Sequence, residues 1–213
     1  MGKVEVLQGI LDTGIVAIVR MKSSDSLMHV AEAIAEGGVR YIEFTMNTPG
    51  ALDTLEEVTT RFGEDVVFGA GTVLDAESAR AAILAGSKFI VAPNLNPEVV
   101  TMASRYSAVS MPGALTATEV MQAWDQGADV VKIFPCFGPS YIKSLLAPLN
   151  QVKLSPVGGV NVDNVPDYMR AGAACAGVGS RLVDKKMIAE GDWAGLTELA
   201  HRFIEAVQEG RTS

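Results

Sequence analysis

The 213-residue chain has few of the residues that build disulfide frameworks and metal sites. It contains two cysteines, Cys136 and Cys175, so a disulfide framework is not expected and a reducing compartment, the cytoplasm, is predicted. Its two histidines, His29 and His201, lack the spacing of paired zinc ligands, so no metal site is predicted.

Basic residues are also scarce. There are 17 Lys and Arg against 25 Asp and Glu, which gives a net charge of −8 and makes nucleic acid an unexpected partner. No apolar run approaches the roughly 20 residues of a membrane-spanning helix, so no membrane partner is expected. The first residues, MGKVEV, lack the apolar segment of a signal peptide. With 48% hydrophobic residues, the composition is typical of a globular protein.

One unit recurs along the chain: an Ala-rich helical stretch, a turn residue and a short β-rich run. The turns fall near residues 38, 63, 86, 106, 127, 150 and 172, about 20 to 25 residues apart. Five of them hold glycine, which favours the left-handed turn that ends a helix. Seven helix-to-strand junctions imply eight strands, predicted at Ile15–Val19, Val39–Thr45, Val66–Ala70, Phe89–Val91, Ala108–Met111, Val130–Ile133, Leu154–Val157 and Cys175–Val178.

This alternation favours an α/β fold with a parallel sheet, and eight units favour closure as a (β/α)8 TIM barrel. A doubly wound open sheet is the alternative, although no Gly-rich dinucleotide fingerprint or GxxxxGK[ST] phosphate motif is present. Residues 1–13 and 184–209 are predicted to be flanking helices. No linker divides the sequence, so residues 1–213 are predicted to form a single domain.

Lys132 is the most informative residue because it stands inside an apolar strand. Strand alternation places Val131 and Ile133 against the helices, and Val130, Lys132 and Phe134 inside the barrel. An enclosed lysine loses solvation, which favours the neutral amine that can attack a carbonyl group and form a Schiff base. The structural alternatives are a buried ion pair and a lysine that extends its amine to the rim.

Glu43 faces the same interior, beside Tyr41 and Thr45 on the second strand. One inward lysine and one inward glutamate can serve as nucleophile and general acid/base. The alternative is mutual neutralisation, but a buried ion pair often fails to stabilise a protein, so neutralisation does not explain why a core would hold both charges.

Glycines follow the last two predicted strands, in Val157-Gly158-Gly159 and in Gly177-Val-Gly179-Ser180. In barrels of this kind, the loops after these strands often bind phosphate through backbone N–H groups. Plain tight turns are the alternative interpretation. The remaining strand ends place Arg20, Asn47, Thr72 and Pro93 at the same edge of the barrel.

Taken together, these residues resemble the class I 2-keto-3-deoxy-6-phosphogluconate (KDPG) and 4-hydroxy-2-oxoglutarate (KHG) aldolase family. The resemblance covers nearly the whole chain, and it is carried by seven segments. These are GGVRYIEFT around Glu43, GAGTVL around Thr72, VAPN around Pro93, MPG around Pro112, VKIFP around Lys132, VGGV around Gly158 and the pair Gly179-Ser180.

The resemblance implies a reversible cleavage of KDPG to pyruvate and glyceraldehyde 3-phosphate, with 4-hydroxy-2-oxoglutarate as a further candidate substrate. Lys132 would form the Schiff base, Glu43 would move protons, and Phe134 would wall the lysine pocket. Thr72 and the Pro93 backbone would hold the pyruvate part. The phosphate would lie on Gly158, Gly159, Gly179 and Ser180. No cofactor is implied, because the imine acts as the electron sink, and the resemblance implies a homotrimer.

The sequence departs from the best-known KDPG aldolases at two positions. Asn47 replaces an arginine that binds the substrate carboxylate, and Arg20 is the expected substitute because its guanidinium suits bidentate recognition. Val157 replaces a threonine. Arg20, Asn47 and Val157 look more like enzymes that cleave 2-keto-3-deoxy-6-phosphogalactonate (KDPGal), the C4 epimer, so this activity is the alternative hypothesis.

Two further alternatives stay open from the sequence. Another phosphate-binding barrel lyase or isomerase would not require an inward lysine, and a thiamin-phosphate-synthase-like transferase would require a carboxylate-bound Mg²⁺ site that the sequence does not indicate. A ligand-sensing barrel without activity would not need both Lys132 and Glu43.

Overall fold

The computed structural model describes residues 1–212, in which strands and helices alternate. The strands are β1 (Ile15–Val19), β2 (Tyr41–Thr45), β3 (Val67–Gly71), β4 (Phe89–Val91), β5 (Val109–Met111), β6 (Gly113–Ala114), β7 (Val131–Ile133), β8 (Leu154–Pro156) and β9 (Ala176–Val178). The helices are α1 (Lys3–Thr13), α2 (Leu27–Glu36), α3 (Ala51–Phe62), α4 (Ala76–Leu84), α5 (Pro97–Arg105), α6 (Ala117–Asp125), α7 (Pro139–Leu146), α8 (Val165–Arg170), α9 (Lys185–Glu190) and α10 (Trp193–Thr212).

All strand pairs are parallel, and the strands form a curled sheet in two parts. Six strands follow the order β5-β4-β3-β2-β1-β9, and three follow the order β6-β7-β8. The first strand pairs with the last, β1 with β9, which a doubly wound open sheet would not do. All eight predicted strands are present, with ends that differ by up to two residues.

The structure differs from the prediction in one respect, because the strands do not form an uninterrupted eight-stranded ring. Pro112 separates β5 from β6 and has no N–H to continue the ladder, so the pairing passes to a separate short strand. Between β8 and β9, a single bridge joins Val157 to Gly177. The parallel α/β architecture is therefore confirmed, whereas the sheet itself is discontinuous at these two seams.

Two hydrophobic cores lie on the two faces of the strands. The outer core, between strands and helices, includes Ile42, Phe44, Val131 and Ile133. The inner core is enclosed by the strands and is built from Val6, Ile10, Val16, Tyr41, Val67, Phe89, Val91, Val109, Met111, Val130 and Cys175. This division confirms the predicted alternation around Lys132 and Glu43.

Helix α1 covers the amino ends of the strands, where it completes the inner core. Its Val6 and Ile10 are buried there. Gly9 allows the helix to approach the sheet closely, because a Cβ at this position would lie 1.7 Å from the Tyr41 hydroxyl oxygen. The inner core is thus closed at one end, and the opposite end carries the residues of the site.

The predicted C-terminal flanking helix over 184–209 is two helices. Asp184 accepts hydrogen bonds at the start of α9, and Gly191, with φ of 69°, ends it in the left-handed region before α10 begins. Helix α10 packs against α2 and α8. At its end, Arg211 donates hydrogen bonds to the Asp12 and Leu11 carbonyl oxygens and so ties α10 to α1. No helix within residues 1–212 is long and apolar enough to cross a membrane.

Candidate active site

An open cavity of about 520 Å³ lies at the carboxyl ends of the strands. Eleven of the twelve predicted site residues line it: Arg20, Asn47, Thr72, Pro93, Lys132, Phe134, Val157, Gly158, Gly159, Gly179 and Ser180. Glu43 is the twelfth, and it lies below this cavity on the wall of a small internal one, which Lys132 also lines. The structure therefore brings the predicted site together, with the glutamate one layer deeper than the other residues.

Lys132 connects the two cavities from the middle of β7. Its backbone N–H donates a hydrogen bond to the Pro112 carbonyl oxygen at 2.9 Å, which fixes the strand next to the break at Pro112. The residue is 5% exposed, and its Nζ lies 5.2 Å from the centroid of the Phe134 ring. Burial lowers the pKa of Lys132, Glu43 opposes this shift, and Arg20 adds to it. The environment thus favours the neutral, nucleophilic amine.

The pKa of Glu43 is shifted in the opposite direction from that of Lys132. Glu43 is 1% exposed on β2, and neither carboxylate oxygen has a hydrogen-bond partner within residues 1–212. Burial raises the pKa of Glu43 from 4.5 to about 7, although the positive charges of Lys132 and Arg20 favour its ionised form. A carboxyl group with this pKa can both accept and donate a proton near neutral pH.

Gly71 on β3 makes room for Glu43. A Cβ at Gly71 would lie 2.4 Å from Oε1 and 2.7 Å from Cδ of Glu43, which is too close for an ordinary contact. A side chain at this position must therefore displace the carboxyl group.

We expect Gly71→Ala to lower kcat by about 10²-fold, because displacement of a reacting group by roughly 1 Å has an effect of that size. Steady-state kinetics and thermal unfolding would test this. Gly69→Ala is a matched control on the same strand, since its Cβ would meet the Phe89 ring at 2.4 Å instead. That control should lose stability but keep its kcat. Equal kcat values for the two variants would contradict the role of Gly71.

Arg20 and Thr72 meet at one side of the cavity. Arg20 Nη2 donates a hydrogen bond to Thr72 Oγ1 at 3.2 Å. Thr72 has φ of 57°, a left-handed conformation that is costly for a β-branched residue. The strained backbone holds the Thr72 hydroxyl next to the Arg20 guanidinium, so the two groups form a polar part of the lining that Lys132 also joins.

The glycine loop after β8 lines the other side. Gly158 and Gly159 have φ of 102° and 74°, in the region that favours glycine. Asn164 Nδ2 donates a hydrogen bond to the Gly159 carbonyl oxygen at 2.9 Å, which fixes the loop. Gly179 and Ser180 line the cavity after β9. The predicted phosphate residues therefore stand together at the ends of β8 and β9, and β9 is the neighbour of β1, the strand that precedes Arg20.

The sequence prediction missed two basic residues of the cavity, Arg181 and Lys185. With Arg20 they place three cationic side chains in the lining besides Lys132, and the lining contains no Asp or Glu. In a chain of net charge −8, this concentration of positive charge favours an anionic ligand. The sequence signal that could have identified them is their position, because Arg181 directly follows Gly179-Ser180 and Lys185 comes four residues later.

The two histidines and Cys136, which were not predicted to belong to the site, do not line the cavity. His29 stacks on Trp193 at 5.3 Å, and His201 Nε2 lies 3.3 Å from a Glu205 carboxylate oxygen. Cys136 is half-buried in the loop after β7 and does not line the cavity. Within residues 1–212, no cluster of three or more His, Cys, Asp or Glu side chains could hold a metal ion.

The fold and the site together are those of a lysine-dependent aldolase, a lyase that cleaves a carbon–carbon bond near a carbonyl group. The family model described as KDPG and KHG aldolase matches residues 7–199, and the chain belongs to that family.

Two curated relatives are similar over most of their length. A 2-dehydro-3-deoxy-6-phosphogalactonate aldolase of Escherichia coli K12 is 34% identical, over 91% of this chain and 96% of the relative. A 2-dehydro-3-deoxy-phosphogluconate aldolase of Treponema pallidum is 32% identical, over 91% of this chain and 93% of the relative.

Two solved structures share the fold. One, named a native KDPGal structure, has a TM-score of 0.87 and 33% identity, and the match covers 93% of this chain and 96% of the other. The KDPG aldolase of Legionella pneumophila, with pyruvate captured as a covalent carbinolamine intermediate, has a TM-score of 0.82 and 27% identity, with 92% and 96% covered.

Proposed function

We propose that this protein is a class I aldolase that cleaves KDPG to pyruvate and glyceraldehyde 3-phosphate, with 4-hydroxy-2-oxoglutarate as a further substrate. The observation that carries the proposal is the buried Lys132–Glu43 pair at the floor of a cationic cavity. The Legionella relative, which binds pyruvate covalently as a carbinolamine, supports the same chemistry.

In the proposed reaction, the neutral Lys132 amine attacks the C2 keto carbon of the substrate. The resulting carbinolamine loses its hydroxyl group as water and becomes a protonated imine. The Glu43 carboxylate takes the proton of the 4-hydroxyl group, directly or through a water molecule, and a carbonyl group forms at C4. The C3–C4 bond breaks and its electron pair enters the imine, which gives an enamine and releases glyceraldehyde 3-phosphate.

The second half of the reaction regenerates both residues. The Glu43 carboxyl group returns its proton to C3 of the enamine, and water hydrolyses the imine to give pyruvate and free Lys132. The raised pKa of Glu43, about 7, suits a group that accepts a proton in one step and donates it in the next. The imine serves as the electron sink, so the scheme requires no cofactor.

The cavity supports one orientation of the substrate. Arg20 and Thr72 are proposed to bind the carboxylate and, with the Pro93 backbone, the pyruvate part, while Phe134 covers the imine. The four phosphate residues Gly158, Gly159, Gly179 and Ser180 would hold the other end, and the nearby Arg181 and Lys185 add positive charge there.

Borohydride trapping with pyruvate tests the proposal. We expect reduction of the imine to attach pyruvate irreversibly to the peptide that contains Lys132, as identified by peptide mass mapping. Pyruvate alone suffices because it is the product that forms the imine. A folded protein that gives no adduct would overturn the lysine mechanism.

Cleavage of the C4 epimer, KDPGal, is the second candidate function, and Val157 favours it. Val157 lines both cavities, next to Lys132, where the KDPG enzymes carry a threonine hydroxyl group. Asn47 and Arg20 in the lining support the same candidate, as does the similar E. coli enzyme named for that substrate.

We expect Val157→Thr to raise the ratio of kcat/KM for KDPG to that for KDPGal about tenfold, since one added hydrogen bond to a substrate hydroxyl group has an effect of this order. Kinetics with both purified epimers would measure the ratio. Val183→Thr is the control, because Val183 lines the same cavity at the phosphate end. An unchanged ratio in Val157→Thr, or an equal change in the control, would remove Val157 from epimer selection.

We further propose that the two sheets close into one (β/α)8 barrel, and that residues 1–213 form one domain which assembles as a homotrimer in the cytoplasm. The β1–β9 pairing and the Val157–Gly177 bridge support closure. Two free cysteines support a reducing compartment. The mass of the native protein in solution would test the trimer.

A further inference from the structure

A small internal cavity lies beneath the site, and the proposed reaction gives no role to one of the polar residues that line it. Its volume is about 10 Å³, close to the lower limit for one water molecule. Only three polar side chains line it, those of Glu43, Lys132 and Ser155, and the other lining residues are apolar or glycine. Ser155 is thus the one polar residue here to which the proposed reaction gives no role.

Strand geometry aims Ser155 at this cavity. On β8 its neighbour Leu154 belongs to the outer core, so alternation turns Ser155 toward the interior. The register places Ser155 directly beside Lys132 on β7. Ser155 is 1% exposed, so bulk water does not solvate its hydroxyl group.

Three buried side-chain oxygen atoms within residues 1–212 have no hydrogen-bond partner, and all three border this cavity. They are Oε1 and Oε2 of Glu43 and Oγ of Ser155. Leaving such groups unpaired is costly, and a water molecule with several polar neighbours is the usual remedy. The Cys175 thiol lies near Ser155, but a thiol is a weak partner for a hydroxyl group.

We propose that Ser155 is a positioning residue, which holds the Glu43 carboxyl group in place through one water molecule bound in the internal cavity. The serine O–H donates to the water, and the water donates to a Glu43 oxygen. This hydrogen-bond chain reaches Glu43 from below, on the side away from the substrate.

The proposal predicts an effect on ionisation, because a hydrogen bond donated to a carboxylate stabilises the charged form. The charged groups that act on Glu43 are Lys132 on β7 and Arg20 after β1. Cys175, before β9, stays a neutral thiol, since burial raises its pKa to about 11. Removal of the Ser155 hydroxyl group should therefore raise the pKa of Glu43.

The experiment compares Ser155→Ala with the parent protein, and its activity readout depends on the proposed function. We expect the acid limb of the kcat/KM profile to move up by roughly one pH unit, which corresponds to an up to about tenfold loss on that limb. The loss should fall on kcat, with KM unchanged. Ser155→Thr keeps the hydroxyl group and should restore most of the profile.

Two further measurements make the result decisive. Ser87→Ala is the control, since Ser87 is also a buried serine but donates its hydrogen bond to the Phe89 carbonyl oxygen. Carbon-13 NMR of glutamate-labelled protein, assigned with Glu43→Gln, reports the Glu43 pKa without any turnover. An unmoved Glu43 titration in Ser155→Ala, or an equal shift in Ser87→Ala, would overturn the role of Ser155.

The NMR titration also separates this inference from the proposed function. A protein that forms no pyruvate adduct but shows the Glu43 shift in Ser155→Ala would lose the aldolase mechanism and keep the hydrogen-bond chain. A protein that is trapped by pyruvate but shows no shift would keep the mechanism and lose the chain.

Discussion

Replacement of Lys132 with methionine is expected to lower aldol cleavage by on the order of 10⁴-fold or more, because the nucleophile is lost and no other lysine lies in the inner layer of the site. The pyruvate adduct formed with borohydride should disappear with it. Methionine has a similar length and no charge, so the pocket under Phe134 stays filled.

Stability should respond in the opposite direction. Folding lowers the pKa of Lys132, so at neutral pH the unfolded chain binds this proton more tightly and the residue destabilises the fold. Its removal also takes a positive charge away from Glu43, which should then stay protonated more readily. We expect Lys132→Met to melt at the same or a higher temperature than the parent protein.

Lys186→Met is the matched control, because Lys186 is an 83% exposed lysine at the start of α9. It should retain full activity. The Lys132 mechanism is wrong if Lys132→Met keeps more than a few per cent of the parent kcat/KM, or if its adduct persists.

The second large effect is expected for Glu43→Gln. We expect kcat to fall by roughly 10²- to 10⁴-fold, the usual contribution of a general acid/base. Lys132 remains, so pyruvate should still be trapped by borohydride. This combination would separate proton transfer from imine formation, whereas loss of trapping would show that Glu43 is needed earlier in the reaction.

The pH dependence of the parent protein should carry the signature of Glu43. Its carboxylate must be ionised to take the hydroxyl proton, so kcat/KM should rise with pH through about 7. Because Glu43 and Lys132 interact, this limb belongs to the pair. In Glu43→Gln the limb near pH 7 should be absent. A parent limb that persists unchanged in the variant would assign the ionisation to another group.

The same residue should make stability fall as pH rises. The folded-state pKa of Glu43, about 7, lies above its ordinary value of 4.5, so the folded state binds the proton more tightly between these values. Stability is thus fully present below about pH 4.5 and decreases by roughly 3 kcal/mol as pH passes 7. The stability gain of Glu43→Gln should therefore be absent below about pH 4.5, grow between pH 4.5 and 7 and be complete above pH 7, and thermal unfolding at pH 4.5 and 8 would measure it.

Local patterns predicted most of the fold. A capping residue before a proline, as in Asn96-Pro97, and a Thr three residues before a Glu, as in Thr116–Glu119, are typical of helix starts. Both caps are present, at the starts of α5 and α6. The alternation of side chains along a strand correctly placed Lys132 and Glu43 on the inward face. Their neighbours belong to the outer core, and successive side chains of a strand point to opposite faces of the sheet. These features depend on a few neighbouring residues.

The features that were missed depend on contacts between distant segments. The break at Pro112 coincides with a close approach to the Pro93 carbonyl oxygen, which a Cβ at Gly113 would meet at 2.1 Å. Strand order alone cannot give the depth of a side chain within a barrel, so the position of Glu43 below the cavity that Thr72 lines could not be predicted. Ser155 and Glu43 border the same internal cavity although they lie on β8 and β2, two strands that do not pair with each other. Their proximity depends on how the strands between them are paired, which a local sequence pattern does not show.

Helix α1 has a kinetic consequence. Because it closes the amino ends of the strands, substrate and products pass through the opening of the cavity at the carboxyl ends. In the proposed reaction, pyruvate would be bound to Lys132 at the floor, whereas the phosphorylated aldehyde would lie nearer the rim. Product release should therefore be ordered, with the aldehyde first and pyruvate last. In the direction of aldol synthesis, pyruvate would have to bind first. Excess aldehyde would inhibit synthesis, because an aldehyde bound in the cavity opening would block the entry of pyruvate.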